Sequence, residues 1–79
     1  MSRQKEDPVF NRVEELRTSR GLTRQQLADE VGVHYQTIGY LERGEYSPSL
    51  ILALKIAKTL ESEITEVFSI KPFKRGGAS

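Results

Sequence analysis

Between Arg24 and Leu41, four positions are constrained at once. Counting Arg24 as the first, Ala28 is fifth, Gly32 ninth, Ile38 fifteenth and Leu41 eighteenth. Two short helices that cross closely need a small residue where they touch, and Ala28 meets that need. The tight turn between them needs a residue for which positive φ carries no Cβ penalty, and Gly32 stands there. Leu27, Val31, Ile38 and Leu41 can then close the wedge between the helices. Each feature alone says little, but together in one frame they leave few folds open.

The helix ends are written nearby. Thr23-x-x-Gln26 is a capping box, with Leu22 and Leu27 placed for a hydrophobic staple across it. The pattern therefore predicts a second helix beginning at Thr23 and ending at Gly32. A third runs from about His34 to Arg43 and stops at Gly44. This is the helix-turn-helix spacing, over about residues 24–43.

The flanks fill out the domain. Val9, Val13 and Leu16 recur at helical spacing, predicting a first helix from about Phe10 or Asn11 to Gly21. Ser47 or Ser49 can cap a fourth helix, and Pro48 suits its entry. "LILALKIAKTL" is the most apolar segment, with Leu50, Ala53, Leu54, Ala57 and Leu60 expected on its buried face. A short fifth helix spans about Ile64 to Phe68. Residues 8–70 form the domain, residues 1–7 a flexible arm and residues 71–79 a tail, disordered from Lys74. In "FSIKPFKRGGAS", which runs from the end of the domain into the tail, Phe68, Ile70 and Phe73 alternate with polar residues, a weak strand signal.

Composition removes several function classes. With no cysteine and one histidine, disulfides, thiolate metal sites and structural zinc are not expected. No apolar run approaches the ~20 residues that cross a bilayer. No signal-like segment stands at the start, so a cytoplasmic location is expected. No nucleophile–base arrangement surrounds the single histidine, so no enzyme is expected, nor any cofactor or small-molecule ligand. Net charge is only +1, but bases collect at 17–24 and 71–75 and acids at 61–66. A chain can thus present a basic face while staying near neutral. Arg12, Arg20, Lys55 and Lys58 are read as solvated helix charges, and Arg3 and Lys5 as part of the arm.

In this frame "RGLTRQQLADEVGVHYQTIGYLERGEYSPSLILALKIAKTL" resembles the Cro/C1-type (XRE-like) helix-turn-helix family, and the match covers about residues 10–68. The resemblance implies an all-α, compact five-helix fold like that of lambda repressor, whose third helix enters the DNA major groove. Tyr35, Gln36, Thr37 and Tyr40 would then face base edges, with Gly39 leaving room for close approach. A Gln36 amide can pair bidentately with adenine, worth ~1–3 kcal/mol of discrimination. Thr37 would touch a thymine methyl or a phosphate, and Tyr35 would use its ring or its hydroxyl. Thr23, Arg24, Gln25, His34 and Arg43 are the phosphate candidates. Arg24 stands where the family often has Gln and adds a charge to a helix N-terminus that already favours anions.

Arg17 and Glu42 occupy positions that pair in some members, linking the first and third helices. His34 departs from the usual Ser or Thr cap, so that cap is weaker or the imidazole meets a phosphate; Glu63 stands where a hydroxyl usually opens the fifth helix. The bland alternative makes Gln36, Tyr35 and Tyr40 ordinary surface residues.

The resemblance also implies a homodimer on palindromic double-stranded DNA, with repression by promoter occlusion as the simplest mechanism. Ile64, Val67, Phe68 and Ile70 are the interface candidates, with Ile51 and Leu52 adding apolar area. In some short members a strand before the first helix pairs with one after the fifth, which would place strands at Pro8–Phe10 and Phe68–Lys71. Alternatives within the fold are an antitoxin or a restriction–modification controller. A protein-interaction module that has lost DNA binding is a further one, but it would favour an apolar face at residues 35–43.

Overall fold

The computed structural model describes residues 9–74. The expected arm at 1–7, Pro8, and the tail beyond Lys74 lie outside them. Seven elements follow in order: β1 (Phe10–Asn11), α1 (Val13–Ser19), α2 (Arg24–Val31), α3 (Tyr35–Glu42), α4 (Leu50–Thr59), α5 (Ile64–Val67) and β2 (Phe68–Ser69). No helix among the described residues is long and apolar enough to cross a membrane.

The helix starts follow their caps. Thr23 Oγ1 accepts from Gln26 N at 3.0 Å while Gln26 Oε1 accepts from Thr23 N at 2.8 Å, closing the capping box of α2. Ser49, not Ser47, caps α4, accepting from Leu52 N at 3.1 Å. At α5 the Glu66 carboxylate reaches back to accept from Glu63 N at 2.8 Å.

α1 starts later than its periodicity suggests. Asn11 Oδ1 accepts from Val13 N at 3.0 Å, and Asn11 Nδ2 donates to Leu41 O at 3.0 Å, at the far end of α3. One amide thereby sets the first turn of α1 and fixes it against α3. Phe10 and Asn11 form a strand, antiparallel to β2, with Phe10 opposite Ser69 and Asn11 opposite Phe68. The ribbon is shorter than the candidate segments. Arg12 is not simply solvated: its guanidinium bonds Glu15 at 3.0 Å and lies 5.6 Å from the Phe73 ring centroid.

The core joins all five helices. Val13, Leu27, Ala28, Ile38, Ile56, Leu60 and Val67 are fully excluded from water or nearly so. Burying one large aliphatic side chain contributes roughly 1.5–3 kcal/mol, so this cluster is the main source of stability. α2 and α3 turn through Gly32 at φ 81°, and the Gly32 and Val33 amides both donate to Ala28 O at 2.8 and 3.1 Å.

Two apolar expectations need correction. The buried face of α4 is Leu52, Ala53, Ile56 and Ala57, continued by Leu60; Leu50 and Leu54 face solvent beside Ile51. α4 is apolar around most of its circumference, so spacing alone does not select the inner face. Leu52 and Val67, expected to add apolar area at an interface, are likewise buried within the chain's own core.

Candidate nucleic-acid interface

α3 buries Ile38, Gly39 and Leu41 and leaves Tyr35, Gln36 and Tyr40 exposed. The exposed residues meet Arg24, from the start of α2, and Arg43, just past the end of α3. Together with Gly39 these five side chains line a notch of about 150 Å³. Thr23, Arg24, Gln25 and Tyr35 also line the neighbouring groove along α1 and α2. The α2 N-terminus and the outer face of α3 therefore form one continuous surface. Thr37 is half-buried and does not line the notch.

The arginines are not loose surface charges. Arg17 Nε donates to Glu42 Oε2 at 2.6 Å, and Arg17 Nη1 to Leu22 O at 2.9 Å. Arg24 Nε donates to the other carboxylate oxygen of Glu42 at 2.9 Å. Glu42 is thus shared by α1, α2 and α3, with its side chain only 1% exposed. Two guanidiniums against one carboxylate leave one positive charge at the helix crossing, on the side of the notch. The hydrogen bond that Arg24 donates to Glu42, and then the Glu42 charge, hold the Arg24 pKa above its ordinary value. The Arg24 side chain is 42% exposed, so its outer nitrogens remain within reach of a ligand.

Arg43 is oriented from two sides. Its Nε bonds Glu45 at 3.2 Å, and its guanidinium carbon lies 5.2 Å from the Tyr40 ring centroid. A cation over an aromatic face is attracted by about 0.5–1 kcal/mol when exposed.

The opening of α3 is unusual. His34 takes the N-cap, its Nδ1 accepting from Gln36 N at 3.1 Å, and its ring stacks on Tyr35 at 4.8 Å. The bond requires the tautomer whose proton is on Nε2, which leaves an N–H pointing outward. Thr23 Oγ1 and Gln25 Nε2 are already bonded, to Gln26 N and to Asp29 at 2.8 Å. The Thr23 hydroxyl proton and the second Gln25 amide proton are not used in these bonds.

Gly39 has no special backbone angle; the positive-φ glycines among the described residues are Gly21, Gly32 and Gly44. Glycine inside a helix costs about 0.5–1 kcal/mol relative to alanine, so its place here calls for a reason.

Ile64, Phe68 and Ile70 meet elsewhere, around an apolar groove with Val9. Ile70 is 69% exposed. Sequence reasoning missed Asn11 and the second arginine on Glu42. An Asn followed two residues later by an apolar helix start is a readable cap signal. The Arg24–Glu42 contact bridges 18 positions and has no local signal.

The helix-turn-helix family HTH_3 matches residues 13–67. A helix-turn-helix-type transcriptional regulator from Archaeoglobus fulgidus is 46% identical over 57 residues, covering 72% of this chain and 81% of the relative. One from Methanothermobacter thermautotrophicus is 53% identical over 57 residues, covering 71% and 83%. Among solved structures, the restriction-modification controller protein C.AhdI from Aeromonas hydrophila superposes with a TM-score of 0.66 at 40% identity, covering 70% of this chain and 83% of that one. A DNA-binding protein from Bacteroides fragilis reaches a TM-score of 0.71 at 23% identity, covering 77% and 98%, a likeness of fold alone. With its five helices, its capped turn at Gly32 and these matches, the chain belongs to the HTH_3 family of Cro/C1-type helix-turn-helix regulators.

Proposed function

We propose that this chain is a sequence-specific DNA-binding transcriptional regulator that sets α3 into the major groove. One observation carries the reading: Arg24, Tyr35, Gln36, Tyr40 and Arg43 converge on one solvent-facing side of α3. That surface is cationic, hydrogen-bonding and aromatic, which suits base edges and phosphates better than an apolar protein partner. Tyr35, Gln36 and Tyr40 read bases, with Thr37 beside them at the margin. Thr23, Arg24, Gln25 and His34 hold phosphates, and Arg43 is the candidate at the far end of the helix.

One recognition helix covers too few base pairs for useful specificity, so the functional unit is a homodimer on a palindromic operator. The apolar groove of Val9, Ile64, Phe68 and Ile70 supports a partner there, and Val67 backs it from within the core. Occlusion of a promoter then represses transcription. The likeness to C.AhdI favours a second version of the same reading, control of a restriction–modification gene pair.

Fluorescence anisotropy on duplexes selected from random DNA tests the proposal. Specific binding that weakens as salt rises, with base preference lost in Gln36→Ala, supports it. Sequence-blind binding unchanged by Gln36→Ala sinks it.

A further inference from the structure

Gly39 lies inside α3 and is buried, yet neither core packing nor backbone angle calls for a glycine there. Beyond its own helix backbone and chain neighbours, the atoms nearest to a Cβ at this position all belong to arginines. Arg43 Nη1 would lie 3.4 Å away, and Arg24 Cδ and Nε each 4.0 Å. What covers Gly39 is therefore the cationic side of the notch. A Cβ would touch both side chains at ordinary contact distance, most closely at Arg43, so glycine leaves a methyl's width of room between Arg43 and the helix rather than relieving a clash.

Arg43 shows what that room is for. Glu45 accepts from its Nε, and its guanidinium carbon lies over the Tyr40 ring. Its Nη1 lies over Gly39, in the notch that Gln36 and Tyr35 share. A planar fork also suits a phosphate, but Arg43 stands beside Gln36 and Tyr40 on the outer side of α3, where base edges would lie. A planar fork held at a fixed angle matches the paired O6 and N7 acceptors of guanine in the major groove.

We infer that Arg43 is a guanine-reading residue and that Gly39 is a specificity determinant that makes room for it. The inference rests on the DNA-binding reading above. It moves Arg43 from the backbone of the duplex to its base edges. Arg24, anchored on Glu42 at the other wall of the notch, keeps its phosphate role.

The experiment is selection of bound duplexes from a random pool by the wild-type chain, Arg43→Lys and Gly39→Ala, with melting curves of all three. The wild type should enrich a motif containing a fixed guanine. Arg43→Lys should keep its charge, its salt dependence and its melting temperature, but lose preference for that guanine by about tenfold or more. Gly39→Ala should melt a few degrees higher, because alanine is the better helix former, and should lose preference at the same base. An unchanged motif in Arg43→Lys would make Arg43 a phosphate anchor and overturn the inference. A lower melting temperature for Gly39→Ala would make the glycine a packing residue and also overturn it. If the wild type enriches no motif, the DNA-binding reading itself fails, an outcome distinct from the other two.

Discussion

The Arg17 guanidinium donates to the Glu42 carboxylate at 2.6 Å, with their side chains 9% and 1% exposed. Such a buried pair adds little net stability when intact, because desolvation cancels much of the attraction. Breaking it is another matter. Glu42→Ala leaves Arg17 charged and buried with no counter-charge, bonded only to the Leu22 carbonyl, at a cost of about 3–5 kcal/mol. Domains are stable by about 5–15 kcal/mol, so a chain this small should lose most of its stability. Urea unfolding followed by circular dichroism checks this; a midpoint shift worth under about 1 kcal/mol would mean that the pair is dispensable.

Arg24 shares the same carboxylate but should behave in the opposite way. Its side chain reaches water, and Arg17 still neutralises Glu42 when Arg24 is gone. Arg24→Ala should therefore melt close to the wild type. On DNA it should lose one phosphate contact, lowering the slope of log affinity against log salt by about 0.9. Titrations at four salt concentrations measure that slope. An unchanged slope would place Arg24 off the duplex.

These two arginines also mark where sequence reading stops. Thr23, Gly32 and Ser49 act on atoms a few residues away, so helix ends and the turn are legible in the order of residues. The crossing of α2 and α3 is legible because Ala28 and Gly32 meet steric demands that few residues satisfy. The inner face of α4 is not, since Leu50, Ile51, Leu52, Leu54 and Ile56 ring the helix and only packing selects among them. The reading face was visible as Tyr35, Gln36 and Tyr40. Its charged flanks, Arg24 and Arg43, were visible too, but the bond that anchors Arg24 on Glu42 was not, because it spans the helix crossing.

Glu61 is a second feature that no pattern announced. It follows α4 with φ 55°, the sole non-glycine residue of positive φ among those described. Its N–H donates to Lys58 O and that of Ser62 to Ala57 O, both at 3.0 Å. The same paired bonds close α1 at Gly21 and α3 at Gly44, so Glu61 fills a glycine's place. A side chain there costs about 1–2 kcal/mol in the left-handed region, and a carboxylate at a helix C-terminus adds repulsion from the dipole. Glu61→Gly should stabilise by about 1 kcal/mol, a melting shift of about 4–8 °C for a domain of this size. A fall in melting temperature would show that the Glu61 side chain makes a contact worth more than the strain.

Ile70 and Val67 separate association from folding. Ile70 is 69% exposed beside Ile64 and Phe68, whereas Val67 is fully buried. Ile70→Asp should place a charge on the proposed dimer surface without touching the core. Val67→Ala should remove core contacts and cost about 2 kcal/mol. If the groove pairs two copies, the wild type melts higher as protein concentration rises, since association stabilises the folded state by mass action. Ile70→Asp should abolish that dependence and sediment as a monomer, while at low concentration it melts like the wild type. Val67→Ala should melt lower at every concentration and still associate once folded. A wild-type melt that ignores concentration, with sedimentation as a monomer, would rule the dimer out; an Ile70→Asp variant that still associates would move the contact away from this groove. The exposed Leu50, Ile51 and Leu54 of α4 would be the next surface to substitute.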